Sequence, residues 1–308
     1  MERNKKKVKK ISFSYNMNNK LIIGTANFGM NYGISVNQKK LLDKEIIDIL
    51  GSAEKMGIET LDTAISYGDS IERLGSIGIQ KFKIITKIPR IPFNIKNPSD
   101  WYNLSVTNVI KKLNINNLEA ILLHYPKDLL INKNHKLIQT LLDFKKNKIV
   151  NKIGVSIYEK KELKEILKIF KPDIIQCPIN IFDNRLTKNN FLKRVSDKGI
   201  EIHARSIFLQ GLLLQNSNNI PYEFSKFEKL FKKWENWLKL SNLNSLEACI
   251  MYTNFISEVT KIVVGINSAV QLKEIIKYKN KNIKFEIPNW QNKVDKELID
   301  PRKWKKKY

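Results

Sequence analysis

Eight short apolar runs, each followed by a stretch with helical spacing, recur along this chain and restrict the folds open to it. The strand-like runs lie at 21–24, 58–62, 83–87, 118–124, 150–156, 173–177, 200–205 and 261–264. The helical stretches lie at 43–56, 70–78, 101–113, 135–146, 160–170, 189–197, 224–240, 245–257 and 269–278. In 43–56, for example, Ile46, Ile47, Leu50 and Ala53 share one helical face, and Gly57 stops the helix. Ser70 is placed to cap the helix after 58–62, and Ser99 and Asp100 to cap 101–113. Strands alternating with helices argue for parallel βα units. Eight such units over about 250 residues predict an α/β chain folded as a closed (β/α)8 TIM barrel in a single domain. A doubly wound open sheet would need G-x-G-x-x-G after an early strand, and the sequence has no such run. The barrel is assigned to 19–280, a flexible basic tail to 1–18 and a C-terminal extension to 281–308.

The 308 residues carry 55 Lys plus Arg against 30 Asp plus Glu, a formal net charge of +25. A reader of nucleic-acid grooves concentrates cations on one element and uses Arg at base edges. Here the cations are mostly Lys, with seven Arg in all, and they run through nearly every segment beside abundant Asn and Ile. They read as a solvated surface, and no nucleic-acid partner is expected. An apolar content of 42% with five Trp and fourteen Phe supports a sizeable core. Cys177 and Cys249 are far apart in apolar contexts and read as buried thiols of a reducing compartment. No run reaches the roughly 18 apolar residues of a membrane span. The start, MERNKKKVKK, lacks the apolar core of a secretory signal. A cytoplasmic protein without a metal site or a membrane partner is the expectation; the oligomeric state is not readable.

A barrel of this kind builds its site from the C-terminal ends of its strands. The second strand ends at Asp62, the third at Lys87 and the fourth at His124, while Tyr67 sits in the loop five residues after Asp62. Alternation puts Thr60 with Asp62, Ile85 with Lys87 and Leu122 with His124. If those faces point inward, an acid, an amine and an imidazole converge at one rim. A carboxylate facing a core needs a cation beside it, and Lys87 supplies one. A carbonyl accepting hydride needs a proton donor at its oxygen. A phenol with a free pKa of about 10 is a poor one unless a nearby ammonium makes it a better acid. His124 is suited to orient the carbonyl oxygen. Singly, Asp62 and Lys87 also fit a structural ion pair, Tyr67 a loop tyrosine and His124 a satisfied buried histidine. His135 and His203 lack such company and read as structural. Trp234, Trp237, Phe227 and Phe231 have helical spacing and read as packing, with a substrate lid as the alternative.

Across about residues 20–280 the sequence resembles the aldo/keto reductase family. LDTAISYG is similar to the family's Asp-and-Tyr segment, ITKIP to its Lys strand and LLHYP to its His strand, so the family's tetrad is matched at Asp62, Tyr67, Lys87 and His124. IIGTANFGMNYG resembles its first strand and loop. The resemblance implies NADPH or NADH extended across the barrel mouth, family habit favouring NADP(H) over NAD(H). It implies that Ser156 and Gln176 hold the nicotinamide amide, with Ile157 where an Asn is usual. Arg205 occupies the place of a Tyr that stacks on the nicotinamide ring. Ser206, Leu209 and Gly211 fall in the pyrophosphate loop. Gly265, Asn267, Ser268 and Gln271 fit a loop entering a helix N-terminus that takes the adenosine phosphate. The usual 2′-phosphate cation is missing at the matching positions, where Lys273 is the nearby replacement.

The leading expectation is an NAD(P)H-dependent reductase of a small-molecule aldehyde, ketone or sugar carbonyl, with Tyr67 as proton donor. Two other readings remain open on the residues alone. Lys87 could be the Schiff-base nucleophile of an aldolase, or the Lys surface could serve a regulatory or nucleic-acid-binding module without catalysis. The loops that would choose the substrate are visible only as lengths.

Overall fold

The computed structural model describes residues 20–34, 39–131, 135–278 and 294–304. The tail expected at 1–18 lies outside the described residues, as do 281–293 and 305–308 of the expected extension.

All eight expected strands form, and they close on themselves. They are β1 Leu21–Gly24, β2 Thr60–Asp62, β3 Lys83–Ile88, β4 Leu118–Leu123, β5 Val150–Ser156, β6 Ile174–Pro178, β7 Glu201–Arg205 and β8 Lys261–Gly265. Each pairs in parallel with its sequence neighbour, and β8 returns to β1, giving the order β1-β2-β3-β4-β5-β6-β7-β8. The helices between strands include α1 Asp43–Lys55, α2 Ser70–Ile77, α3 Pro98–Leu113, α4 His135–Lys146, α5 Lys160–Ile166 and α6 Phe191–Ser196. Between β7 and β8 lie α7 Glu228–Leu240 and α8 Ser245–Asn254, and α9 Ala269–Lys277 follows β8.

Strand alternation sorts the apolar residues into two cores. Ile23, Leu61, Ile121, Val155, Ile175, Ile202 and Val264 face outward and pack with the helices in one large cluster. Ile22, Ile85, Ala120, Leu122, Ile174 and Val263 face inward and fill the barrel's middle. Asp62, Lys87 and Gln176 lie one inward step beyond Thr60, Ile85 and Ile174, so the same parity that fills the middle carries polar groups to the C-terminal rim. Phe231 and Trp234 on α7 are fully buried against Phe182, as the helical spacing of that aromatic set predicts.

Element ends differ from the sequence expectation where side chains take other partners. Ser70 begins α2, but Asp69 holds the cap position, and the Ser70 hydroxyl instead donates to the Thr25 carbonyl at 3.1 Å. Asn97 rather than Ser99 or Asp100 caps α3, accepting from the Ser99 amide at 3.1 Å, and the following Pro98 has no N–H to leave unpaired. β4 ends at Leu123, one residue before His124, whose amide still donates to the Ile88 carbonyl at 2.9 Å.

Candidate active site

Asp62 and Lys87 end up 2% and 1% exposed, so their charges must meet each other. The Lys87 ammonium donates to Asp62 Oδ1. It also reaches the Thr63 carbonyl at 3.3 Å and Tyr67 Oη at 3.4 Å. The second Asp62 oxygen accepts from Gln176 Nε2 at 2.7 Å. The carboxylate is therefore held from both sides, by an amine from β3 and an amide from β6.

Tyr67 is placed by backbone rather than by its own strand. Its loop is anchored to the sheet where the Thr63 amide donates to the Ile85 carbonyl at 2.8 Å and the Ile65 amide to the Lys87 carbonyl at 3.1 Å. On the far side it lies flat against the β1 loop. A Cβ on Gly29 would overlap the Tyr67 carbonyl and the Ser70 nitrogen, and one on Gly68, whose φ is +56°, would overlap the Gly29 carbonyl. His124 stands edge-on to Tyr67 with ring centroids 6.2 Å apart, and its Nδ1 lies 3.4 Å from Ser66 Oγ.

Burial dominates the proton affinities here. It pulls Lys87 below the ordinary ammonium value, although Asp62 opposes the shift. It raises Tyr67, and the Asp62 charge raises it further. His124 is pushed down to about 3 by burial first, then by the Lys87 and Arg205 charges, so its imidazole is neutral near pH 7. The expectation that the ammonium makes Tyr67 a better acid is thus reversed in the resting site, because burial first, and then the Asp62 charge, hold the proton on the phenol.

These groups open into a cavity of about 440 Å³ at the C-terminal mouth. Asp62, Tyr67, Lys87 and His124 all line it, as do Gln176, Arg205, Ser206, Gly211, Gly265, Asn267 and Gln271. Ser156, Leu209 and Ser268 do not. Ser156 pairs in register with Gln176, and its buried Oγ and Gln176 Oε1 both lack a hydrogen-bond partner among the described residues. Leu209 is buried in the outer core. Ser268 caps α9 by accepting from the Gln271 amide at 3.1 Å, while Gln271 Oε1 accepts from the Asn267 amide at 2.7 Å. Lys273 is exposed on α9 and outside the lining.

The loop after β7 is backbone-strained. Ser206, Leu209 and Gln210 have φ of 56°, 49° and 55° and Gly211 has 91°, and within the turn the Leu209 amide donates to the Ser206 carbonyl and the Gly211 amide to the Phe208 carbonyl, each at 2.9 Å. Gln210 also accepts from the Ile34 amide at 3.1 Å, which ties the β1 loop across to it.

Arg205 does not stand free. Its guanidinium lies 4.2 Å from the centroid of the Tyr158 ring, and Arg302 from the C-terminal segment lies 3.6 Å from the same centroid. Tyr32, Tyr158 and Arg302 all line the cavity, and sequence reasoning missed them. Tyr158, two residues past Ser156 at a strand end, carried a positional signal; Arg302, far along the chain, carried none. His203 lies at the opposite end of the barrel, by a smaller cavity of about 260 Å³. Lys152 there bridges Glu119 at 3.1 Å and Glu201 at 2.8 Å, and His203 Nε2 lies 3.3 Å from Glu201, so this end is a floor of ion pairs. Among the described residues no group of His, Cys, Asp and Glu is placed to hold a metal, and no helix is long and apolar enough to cross a membrane.

A sequence profile described as the Aldo/keto reductase family matches residues 20–290. Glyoxal reductase of Bacillus subtilis is 28% identical over 178 residues, 56% of this chain and 61% of that protein. An uncharacterized oxidoreductase of Schizosaccharomyces pombe is 28% identical over 192 residues, 59% of this chain and 65% of its own length. The chain thus spans less than two thirds of these curated relatives. Among solved structures, an aldo-keto reductase from Bacillus halodurans superposes with a TM-score of 0.68 at 18% identity, covering 86% of this chain and 88% of that one. A glycerol dehydrogenase from Gluconobacter oxydans superposes at 0.65 and 16% identity, covering 86% and 88%. At such identities the likeness concerns the barrel.

Proposed function

Since this chain belongs to the aldo/keto reductase family, we propose that it is an oxidoreductase reducing the carbonyl of a small aldehyde, ketone or sugar with a nicotinamide dinucleotide. The observation that carries the reading is the buried Lys87 ammonium, which touches both the Asp62 carboxylate and the Tyr67 hydroxyl at the foot of an open cavity.

The residues present fit the cofactor. A carboxamide offers one acceptor and two donors, and the unpartnered Ser156 Oγ and Gln176 Oε1 offer a donor and an acceptor side by side. A pyrophosphate is assigned to the loop after β7, where Ser206, Gln210 and Gly211 line the cavity beside Arg205, and the N-terminus of α9 with Gly265, Asn267, Ser268 and Gln271 suits a further phosphate. When bound, the reduced nicotinamide supplies a hydride to the carbonyl carbon. NADP(H) rests on family habit, since Lys273 lies outside the cavity.

Tyr67 donates its phenolic proton to the carbonyl oxygen as negative charge builds there. Its raised proton affinity means that it must be resupplied within the same event. Lys87, whose affinity is lowered and which lies 3.4 Å from Tyr67 Oη, is the source. Asp62 keeps Lys87 charged despite its burial. Neutral His124 holds the oxygen by a hydrogen bond without adding charge. A Schiff-base role for Lys87 is disfavoured, because its side chain is 1% exposed and its ammonium is paired with Asp62.

The first test is a titration of the full chain with NADPH and NADH, followed by the fluorescence of its five Trp, together with cofactor consumption in the presence of small aldehydes. Saturable binding with aldehyde-dependent consumption is expected. Absence of binding by either dinucleotide contradicts the reading.

A further inference from the structure

We propose that Arg205 anchors an anionic group, a carboxylate or a phosphate, carried by the carbonyl substrate. The inference rests on the reductase reading above and deepens it by naming a substrate class.

Charge around the mouth does not balance. Among the described residues lining the cavity, Lys87, Arg205 and Arg302 are cations and Asp62 alone is an acid. Asp62 is committed to Lys87 and Gln176. Arg302 is also matched: its Nε and Nη2 donate to Asp300 Oδ1 and Oδ2 at 2.8 and 2.6 Å, and that carboxylate is buried. Arg205 has no such partner. Among the described residues no carboxylate lies within ion-pair distance of it. Its contacts are two long hydrogen bonds, to Ser206 Oγ at 3.3 Å and to the Ile157 carbonyl at 3.4 Å, and the Tyr158 face.

A half-buried guanidinium without a counter-charge is costly, and an anion in the cavity relieves that cost. The guanidinium is also held in place beforehand. Arg205 and Arg302 both lie over the Tyr158 ring, and Asp300, which fixes Arg302, lies 3.8 Å from Arg185, itself bidentate to Asp183. Beyond its two long hydrogen bonds, the Arg205 guanidinium has N–H groups left for a carboxylate or a phosphate. Arg205 lines the same cavity as Tyr67 and His124, and its charge lowers the proton affinity of both. A substrate anion there would sit beside the carbonyl it accompanies.

Two matched pairs test this without altering the protein: 4-oxobutanoate against butanal, and glyceraldehyde 3-phosphate against glyceraldehyde, each with NADPH and NADH. In at least one pair the anionic member is expected to have a kcat/KM about tenfold higher, worth about 1.4 kcal/mol, with the difference carried by KM. The pair that responds tells carboxylate from phosphate. In Arg205→Met the two members should approach parity, and Arg205→Lys should restore part of the preference. The cofactor Kd in Arg205→Met should shift less than about threefold. Parity in the unaltered protein overturns the proposal and leaves the reductase reading standing. So does a preference that survives Arg205→Met, or a cofactor Kd weakened as much as kcat/KM, which would put the guanidinium on cofactor phosphate. Binding of neither dinucleotide, with no turnover of any aldehyde, would instead remove the reductase reading itself.

Discussion

Tyr67 meets two opposed influences: a cation 3.4 Å away, and the burial and carboxylate that keep its proton on. The same burial that strengthens the phenol's hold on its proton weakens the hold of Lys87, and in the proposed mechanism the amine passes a proton to the phenol as the carbonyl oxygen takes one. The sign of the pH dependence follows. Reduction by the proposed mechanism needs Lys87 protonated, and burial lowers the affinity that keeps it so. kcat for reduction should therefore fall as pH rises, beginning below the range of an ordinary lysine, while alcohol oxidation should rise over the same range. His124, pushed down to about 3, should add no acid limb between about pH 5 and 8. Rate profiles in both directions check this; a reduction rate that climbs with pH would contradict it. The tetrad's residue types were readable because each falls at a strand end or just past one. The reversal at Tyr67 was not, because it depends first on how deeply the phenol is buried and then on how near the Asp62 charge lies.

The loops after β1 and β2 make a single unit. Gly29 and Gly68 let the two backbones touch, and Ser70 spends its hydroxyl on Thr25 instead of capping its own helix. Tyr67 is thereby held by the neighbouring β1 loop as well as by the anchoring of its own loop to β3. Gly29→Ala should destabilise the chain by roughly 1–3 kcal/mol through overpacking and lower kcat by displacing the phenol. Denaturant unfolding and steady-state rates on one preparation check both, and unchanged stability would show that the loops can separate. Strand and helix order was legible from periodicity alone, whereas helix ends were not. Ser70, Ser99 and Asp100 are all good capping types, and the choice fell to tertiary partners and to Asn97 ahead of Pro98.

At the scale of the whole molecule, closure of the sheet turns distant positions into neighbours: 62, 87, 124, 176 and 205 come from five strands or their ends, and 302 from the C-terminal segment. Counting eight βα units was enough to foresee that convergence for strand ends. It said nothing of Arg302, whose place depends on the docking of Asp300 beside Arg185. On the lysine-rich surface, Lys40, Lys81, Lys112 and Lys145 each pair with an acid. Such exposed pairs contribute little stability each. The central claim is that this convergence serves proton delivery to a carbonyl, and it is tested most directly by turnover and cofactor affinity of Tyr67→Phe measured side by side. Loss of nearly all carbonyl reduction with a dinucleotide Kd within about threefold of the unaltered protein is the predicted result; turnover that survives removal of this one hydroxyl would contradict the account.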